Sequence, residues 1–269
     1  MTEYNYKEKK LSIDTKFKTF SHIIKNCTIC KGIGYSFVHS KDEFGLICKS
    51  VAKECSCVKR CYTHAIYKEA NIPSEYWDLS MKNFFENDNN KEIKEIIVGI
   101  CKDIKMFNQS GKGLLFYGGP GTGKSMLGLE VLKQALKHGM TGHYDWFPKI
   151  MDVLMSKSFE MDTKKNFYNE MFENKDFLVI DELGKETQDG FGFNKQDIAR
   201  ILEINILKNR GNKTTILISN LANIEEIKNQ YGVYVDSVIR QNFKTINLEG
   251  KDFRNVGSVN QFFDSLKEK

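Results

Sequence analysis

A glycine-rich segment of the sequence combines the residue types that bind nucleoside triphosphates. Residues 118–125 match the pattern G-x-x-x-x-G-K-[ST] in full, between an apolar strand-like run and a helix-like run. Glycines allow backbone N–H groups to approach phosphates closely, and the start of the following helix adds further donors. Lys124 is predicted to reach the β- and γ-phosphates, and the Ser125 hydroxyl to ligate Mg²⁺. The predicted contacts to ATP are Gly118, Gly119, Pro120, Gly121, Thr122, Gly123, Lys124, Ser125 and Met126.

Two adjacent carboxylates follow a second apolar run, and an amide follows a third. Asp181 and Glu182 come directly after residues 177–180, and Asn220 comes after residues 214–219. We expect Asp181 to hold Mg²⁺ through water and Glu182 to orient or deprotonate the attacking water. Asn220 is expected to lie between its strand end and the γ-phosphate and to polarise the same water. Together with the phosphate loop, these residues predict hydrolysis of ATP to ADP and phosphate.

A cluster of cysteines precedes this region and suits metal binding. Six of the seven cysteines lie between Cys27 and Cys61, and clustering without a secretion signal favours metal over disulfides. Tetrahedral zinc needs four thiolates, and a stretch this short would depend on the metal to fold. Cys61 could replace one of the second pair, Cys48 is a spare, and a four-iron cluster or reduced thiols are the alternatives. The predicted zinc ligands are Cys27, Cys30, Cys55 and Cys57.

The elements that must position these residues follow from the hydrophobic periodicity. Five strands alternate with helices, which predicts an α/β fold with a parallel sheet covered on both faces. An additional β-hairpin is predicted at residues 35–39 and 44–48, between the cysteine pairs. The strands of the sheet are predicted at residues 114–117, 143–147, 177–181, 214–219 and 245–248. The helices are predicted at residues 93–107, 125–138, 151–158, 164–173, 195–209, 224–230 and 235–242.

Composition and charge divide the chain into segments of different character. Residues 1–70 carry 13 Lys and Arg against 7 Asp and Glu, whereas the remainder carries 27 against 28. The basic excess suits nucleic acid, an acidic protein surface, or simple solvation. We found no signal peptide and no apolar run long enough to span a bilayer, so a cytoplasmic protein without a membrane partner is expected. The predicted segments are a leader (1–25), a zinc-binding module (26–62), a connector (63–88) and an ATPase domain (89–269).

Several strings of residues give the chain a family resemblance. Besides the phosphate loop, these are residues 180–186 (IDELGKE), 209–210 (NR), 215–221 (TILISNL), 250–254 (GKDFR), 70–76 (ANIPSEY) and 81–84 (MKNF). In this order they resemble the AAA+ replicative-helicase loaders of bacteria and phages, the DnaC/DnaI type, over roughly residues 70–256. The front module, with its C-x-x-C-K-G string and later C-x-C, looks like that of phage-borne members. The IstB-type transposition helper ATPases share most of the ATPase motifs.

The resemblance implies an AAA+ P-loop NTPase fold with a reduced lid and assigns further roles. Asn220 would be the sensor-1 residue, and Arg254 the sensor-2 arginine that touches the γ-phosphate of its own subunit. Arg240 matches the arginine finger that enters a neighbouring subunit's site, although its neighbours here are Ile-Arg-Gln where the family often has Asp-Arg-Leu. Arg210 is the fallback finger. A planar guanidinium can stabilise the negative transition state in either position.

The resemblance also implies partners. ATP binding and hydrolysis would control the loading of a hexameric replicative DNA helicase onto single-stranded DNA, with self-association through the ATP site. Lys149, Lys157, Lys164 and Lys165 are candidate contacts to the DNA backbone, whereas Trp146 and Phe147 are predicted to belong to the core. One alternative is a transposition helper of the IstB type, which would bind duplex DNA and recruit a transposase. Another is an adaptor in which hydrolysis is vestigial.

Overall fold

The computed structural model describes residues 20–41, 43–45, 47–84, 86, 90–155, 160–184, 195–200, 202–203, 210, 213–250 and 252. The main division between two compact units falls between Trp77 and Asp78. This division lies inside the segment predicted as a connector. Within the described residues, no helix has both the length and the apolar character needed to cross a membrane.

The N-terminal unit consists of a hairpin between two helical segments. Residues 20–25 are helical, and strands β1 (Tyr35–Lys41) and β2 (Ile47–Glu54) form an antiparallel hairpin. A hairpin is predicted here, but its second strand lies further along the chain than the predicted residues 44–48. Helix α1 (Ser56–Glu69) follows directly. Its buried face packs on Phe20, which also contacts the Trp77 ring at a centroid distance of 5.4 Å. Because Trp77 belongs to this small core, the N-terminal unit extends beyond the predicted cysteine module.

The second unit alternates strands and helices. Its strands are β3 (Gly113–Tyr117), β4 (Gly142–Trp146), β5 (Phe177–Leu183), β6 (Thr214–Ser219) and β7 (Phe243–Asn247). Its helices are α2 (Lys91–Lys102), α3 (Ile104–Gln109), α4 (Lys124–Lys137), α5 (Phe147–Met155), α6 (Met161–Tyr168), α7 (Lys195–Arg200), α8 (Glu225–Tyr231) and α9 (Val233–Asn242). A π-helical turn, Asn169–Glu173, follows α6, and short 3₁₀ turns occupy Ser74–Tyr76 in the N-terminal unit and Met81–Asn83 in this one.

One predicted helix is in fact two. The apolar spacing predicts a single helix over residues 93–107, but α2 ends at Lys102 and α3 begins at Ile104. Between them, Asp103 has left the helical region, with φ −122° and ψ 46°. The buried side chains Ile97 and Ile104 keep helical spacing across the break, which is why periodicity alone does not reveal it.

The five strands form the predicted parallel sheet. Their order is β4-β5-β6-β3-β7, and all neighbours run in parallel. The strand that ends at Ser219 therefore lies between the strand that leads into the phosphate loop and the strand that carries the two carboxylates. Since parallel strands end at the same edge of the sheet, all three predicted nucleotide-facing segments meet there.

Arg210, the predicted fallback finger, lies in the interior. Its side chain is only 3% exposed, so it is not placed to enter the site of a neighbouring copy. The guanidinium joins the start of β6 to the segment before β5 through hydrogen bonds at 2.7–3.4 Å. It donates to the Thr215 hydroxyl and to the backbone carbonyls of Phe172, Lys175, Asp176 and Thr214.

Replacing Arg210 should therefore destabilise the fold. Arg210→Met removes these bonds and leaves buried carbonyls unsatisfied, so we expect the free energy of unfolding to fall by about 3 kcal/mol. Arg210→Lys should not rescue it, because an ammonium cannot reproduce the planar fork. Urea unfolding of the full chain measures the loss, with the exposed Arg200→Met as the matched control. Equal stability of the two Met variants would contradict a structural role for Arg210.

Candidate functional site

The phosphate loop connects β3 to α4 at the carboxyl edge of the sheet. Its first residue, Gly118, has a φ of +122° and donates its N–H to the Leu221 carbonyl at 3.0 Å. A Cβ atom at this position would meet the backbone carbonyl oxygen of Leu248. Gly118 is thus fixed between the segments that follow β6 and β7, in a conformation and a space that only glycine fits.

The Lys124 ammonium lies inside this loop. Its side chain is 4% exposed, and Nζ donates to the Gly118 carbonyl at 2.9 Å and to the Gly119 carbonyl. The Thr122 hydroxyl also donates to Gly119, at 2.9 Å, and closes the turn. A cation with little exposure to water acts strongly on nearby anions, so the loop is built to attract phosphate.

The Asp181 carboxylate reaches the end of the phosphate loop. It is buried and accepts hydrogen bonds from the Ser125 hydroxyl, from the Tyr144 hydroxyl at 3.2 Å and from the Glu182 N–H at 2.7 Å. Burial raises the pKa of the Asp181 carboxyl, and these hydrogen bonds act against that rise. Ser125 and Asp181, which come from different motifs, therefore present two oxygens side by side. That is the donor set a hard cation such as Mg²⁺ prefers.

Glu182 has an unusual backbone conformation. Its φ is +62°, which is uncommon outside glycine, and the pairing of β5 with β6 is irregular between Ile180 and Leu183. This bend separates two neighbouring carboxylates: Asp181 meets Ser125, whereas Glu182 accepts from the Asn220 side-chain amide at 3.5 Å. Backbone strain of this kind concentrates at functional sites.

Asn220 is held on both sides. The preceding Ser219 hydroxyl donates to the Leu183 carbonyl at 2.7 Å and accepts from the Leu221 N–H at 3.2 Å. Leu221 in turn accepts from Gly118 of the phosphate loop. The residues on either side of Asn220 are thus tied to Leu183 and to Gly118, and its side-chain amide donates to Glu182. The structure brings Lys124, Ser125, Asp181, Glu182 and Asn220 to one edge of the sheet.

The N-terminal unit holds the second candidate site, a cluster of four thiols. The sulfur atoms of Cys27, Cys30, Cys55 and Cys57 all lie within 4.8 Å of one another. Cys27 and Cys55 are 3.7 Å apart, and Cys30 and Cys57 are 3.5 Å apart. Ligands about 2.3 Å from a tetrahedral zinc lie about 3.8 Å from each other, so the spacing fits one zinc ion. A four-iron cluster, with each cysteine on a different iron, requires a wider cage.

The local environment of the four thiols also suits a metal. The Gly34 N–H donates to the Cys30 sulfur at 3.2 Å, and a hydrogen bond from the Cys30 backbone lowers the pKa of the Cys27 thiol to about 7. Burial, in contrast, raises the pKa of the Cys57 thiol. A cation would be required to hold all four as thiolates at neutral pH.

Cys61 does not belong to this cluster. Its buried sulfur donates to the Phe20 carbonyl at 3.1 Å, and burial raises the pKa of its thiol. Cys61 is therefore a core residue rather than a substitute for Cys55 or Cys57. The Cys48 side chain lies outside the described part of the structure.

Solved structures with this architecture include several replication proteins. A DnaC helicase loader superposes with a TM-score of 0.53 and 20% identity over 66% of this chain and 100% of that chain. DnaI gives a TM-score of 0.54 with 16% identity over 68% and 94%. Domain III of the replication initiation protein DnaA from Thermotoga maritima gives 0.52 with 17% identity over 73% and 76%. This chain has the AAA+ fold.

No protein-family model and no curated protein sequence matches the chain. At the identities of the solved structures, the likeness establishes the AAA+ P-loop NTPase fold and does not by itself establish an activity.

The predicted arginines of the AAA+ site have different surroundings. The half-exposed Arg240 donates from Nε to both carboxylate oxygens of Asp236 (2.9 and 3.0 Å) and from Nη2 to Glu225 (2.8 Å). It lies on the surface, where a second copy could reach it.

Arg254 lies outside the described residues. The nearby Asp252 carboxylate lies so close to Gly121 of the phosphate loop that a Cβ atom there would clash with it.

The lysines predicted to contact DNA differ in their surroundings. Lys149 is paired with Asp145 at 3.0 Å, and Lys164 is partly exposed. Lys157 and the Lys165 side chain lie outside the described residues. Phe147 belongs to the core as predicted, but Trp146 does not: its side chain is 53% exposed at the end of the edge strand.

Two residues of the AAA+ site were not predicted from the sequence. Tyr144 contacts Asp181, and Ser219 fixes the position of Asn220. Ser219 could have been found as the last residue of a strand that leads into Asn220. Tyr144 had no such signal, because its contact depends on which strand pairs with β5.

Proposed function

We propose that this chain is an ATP-hydrolysing helicase loader. The observation that carries the proposal is the meeting of the phosphate loop, the two carboxylates and Asn220 at one edge of an AAA+ sheet. Two of the structures that share this fold are DnaC, a helicase loader, and DnaI. We also propose that the protein is cytoplasmic. The proposed zinc-binding module covers residues 26–62, and the proposed ATPase domain covers residues 89–269.

In the proposed reaction, each residue at the sheet edge has a defined task. Lys124 and the loop amides bind the phosphates, and Ser125 and Asp181 would hold the Mg²⁺ that neutralises them. Glu182 accepts a proton from the attacking water, and Asn220 orients that water. The bend at Glu182 supports this division, because it directs the two carboxylates to different partners.

Self-association would complete the site. Arg240 is the proposed arginine finger, and its exposure supports contact with the nucleotide of a neighbouring copy. Asp236 and Glu225 would hold its guanidinium in a fixed orientation before that contact. Arg254 is proposed to contact the γ-phosphate within the same chain.

The N-terminal unit is proposed to bind the partner, a hexameric replicative helicase. Its hairpin and the turn after Cys27 expose large apolar side chains to solvent, which is typical of protein-binding surfaces. These residues are Ile29, Ile33, Tyr35, Phe37, Val38, Phe44 and Val51. Single-stranded DNA is proposed to bind the ATPase domain.

An ATP-locked variant tests this proposal. Glu182→Gln keeps the size and polarity of the side chain but cannot accept the proton, so we expect ATP binding without turnover and capture of the replicative helicase from host lysate. The matched control is Glu203→Gln, a partly exposed glutamate elsewhere in the unit, which should turn over ATP and capture less. Capture of a transposase would instead establish the transposition helper. Absence of ATP turnover in the unmodified protein, with binding intact, would establish the adaptor.

A further inference from the structure

We infer that Tyr144 and Trp146, on the edge strand β4, form a positioning pair for the metal-binding carboxylate. The Tyr144 hydroxyl donates to Asp181 Oδ2 at 3.2 Å. The Trp146 indole N–H donates to that same hydroxyl at 2.8 Å. This inference rests on the proposed function, since it takes Asp181 as a ligand of Mg²⁺.

The strand register explains how the pair reaches Asp181. Trp146 is directly opposite Asp181 in the pairing of β4 with β5. Residues opposite each other in a sheet share a face, and residues two apart on one strand share it too. Tyr144, Trp146 and Asp181 therefore lie on the same side of the sheet at its carboxyl end.

The direction of the two hydrogen bonds gives each residue a different task. An indole N–H can only donate, so it occupies a lone pair of the Tyr144 oxygen and leaves the hydroxyl hydrogen for Asp181. Oδ1 of Asp181 meanwhile accepts from the Glu182 N–H at 2.7 Å. Both carboxylate oxygens are thus restrained, one from its own strand and one from β4. Partners of this kind, one step removed from the metal, orient the ligand and affect metal affinity.

The two residues differ in exposure. Tyr144 is 4% exposed, whereas Trp146 is 53% exposed. A tryptophan with this exposure contributes less to the core than a buried one. Its indole nitrogen nevertheless donates to the Tyr144 hydroxyl, which contacts Asp181 in the nucleotide site. That arrangement favours a role in orienting Tyr144 over a role in packing.

The test is the Mg²⁺ dependence of nucleotide binding by the full chain. Tyr144→Phe removes only the hydroxyl, so the Mg²⁺ concentration needed for half-maximal enhancement of ATP affinity should rise about tenfold. ATP affinity measured without Mg²⁺ should stay the same. Trp146→Phe should act in the same direction with a smaller effect, because the hydroxyl remains but loses its fixed orientation.

Two further measurements make the inference falsifiable. Because Trp146 acts through Tyr144, the double variant should be no worse than Tyr144→Phe alone. Tyr234→Phe and Trp77→Phe make the same chemical changes at an exposed tyrosine of α9 and at a tryptophan of the N-terminal unit, and both should leave the Mg²⁺ dependence unchanged. Additive effects of the two substitutions, or an unchanged Mg²⁺ dependence in Tyr144→Phe, would overturn the inference. The inference would also be overturned if Tyr144→Phe lost the same amount of ATP affinity with and without Mg²⁺.

These outcomes are distinct from failure of the proposed function. If the unmodified chain binds no ATP, the proposed function itself is wrong. If it binds ATP with Mg²⁺ and the variants match it, only the positioning role is wrong. Should Tyr144→Phe fail to fold, as judged by circular dichroism, Trp146→Phe carries the test, because its side chain is half exposed.

Discussion

Lys124→Ala is expected to weaken ATP binding at least about 100-fold, which corresponds to about 2.7 kcal/mol at 25 °C, and to abolish turnover. Lys124 is 4% exposed, and its ammonium is held inside the phosphate loop by the Gly118 and Gly119 carbonyls. Water screens a charge in that position only weakly, so its attraction to the phosphates is large. Each charge-assisted hydrogen bond that it forms adds about 1.5–3 kcal/mol.

The measurement is titration of a fluorescent ATP analogue in the presence of Mg²⁺. Lys137→Ala, an exposed lysine in the last turn of the same helix α4, is the matched control and should bind as the unmodified protein does. Circular dichroism should show that both variants remain folded. If Lys124→Ala binds ATP as tightly as Lys137→Ala, the loop from Gly118 to Ser125 does not hold the phosphates.

Sequence reasoning located those parts of the nucleotide site whose residues lie close together in the sequence. The phosphate loop needs glycines, a lysine and a hydroxyl at fixed spacing, and Asp181 and Glu182 end an apolar run. Each of these motifs can be recognised in a short stretch of sequence. Because the strands are parallel, the segments that follow them meet at one edge of the sheet, whatever the order of the strands.

The parts that sequence reasoning missed depend on strand pairing or burial. Tyr144 contacts Asp181 only because β4 pairs with β5 in one register, and no periodicity specifies that register. Trp146 is predicted to belong to the core, but it occupies the end of an edge strand and is half exposed. Arg210 has the sequence context of a surface arginine, and its buried hydrogen bonds appear only once β6 is placed beside β5.

The second large effect is expected when the thiol cluster loses its metal. Among the described residues of the N-terminal unit, the apolar clusters are small: Phe20, Cys61 and Ala65 form one group, and Cys30, Cys55, Cys57 and Val58 form another. Three of the four residues in the second group are predicted ligands. Burial of clusters this small offsets little of the entropy lost in ordering the segment around the thiols, so this segment should require zinc to fold. Free energies of about 10–16 kcal/mol are typical for structural zinc in small modules.

Cys30→Ser should therefore lose the bound zinc and unfold the N-terminal unit while the ATPase domain remains intact. Zinc content by elemental analysis should fall from one ion per chain to none. In a Trp146→Phe background, the fluorescence of Trp77 reports on the N-terminal unit, because its ring packs against Phe20 and His64. That signal should shift to the value of the unfolded chain, whereas ATP affinity measured without Mg²⁺ should stay unchanged.

The other cysteines provide the controls that make this result specific. Cys61→Ser retains a donor to the Phe20 carbonyl, and Cys101→Ser changes a partly buried thiol of the other unit, so both should keep one zinc ion per chain. Loss of zinc in Cys61→Ser would place Cys61 among the ligands and contradict the geometry of the cluster. A coloured protein that contains iron would contradict zinc itself. If the hairpin surface binds the helicase, Cys30→Ser should abolish its capture by Glu182→Gln without affecting ATP binding, which would assign the two activities to separate parts of the chain.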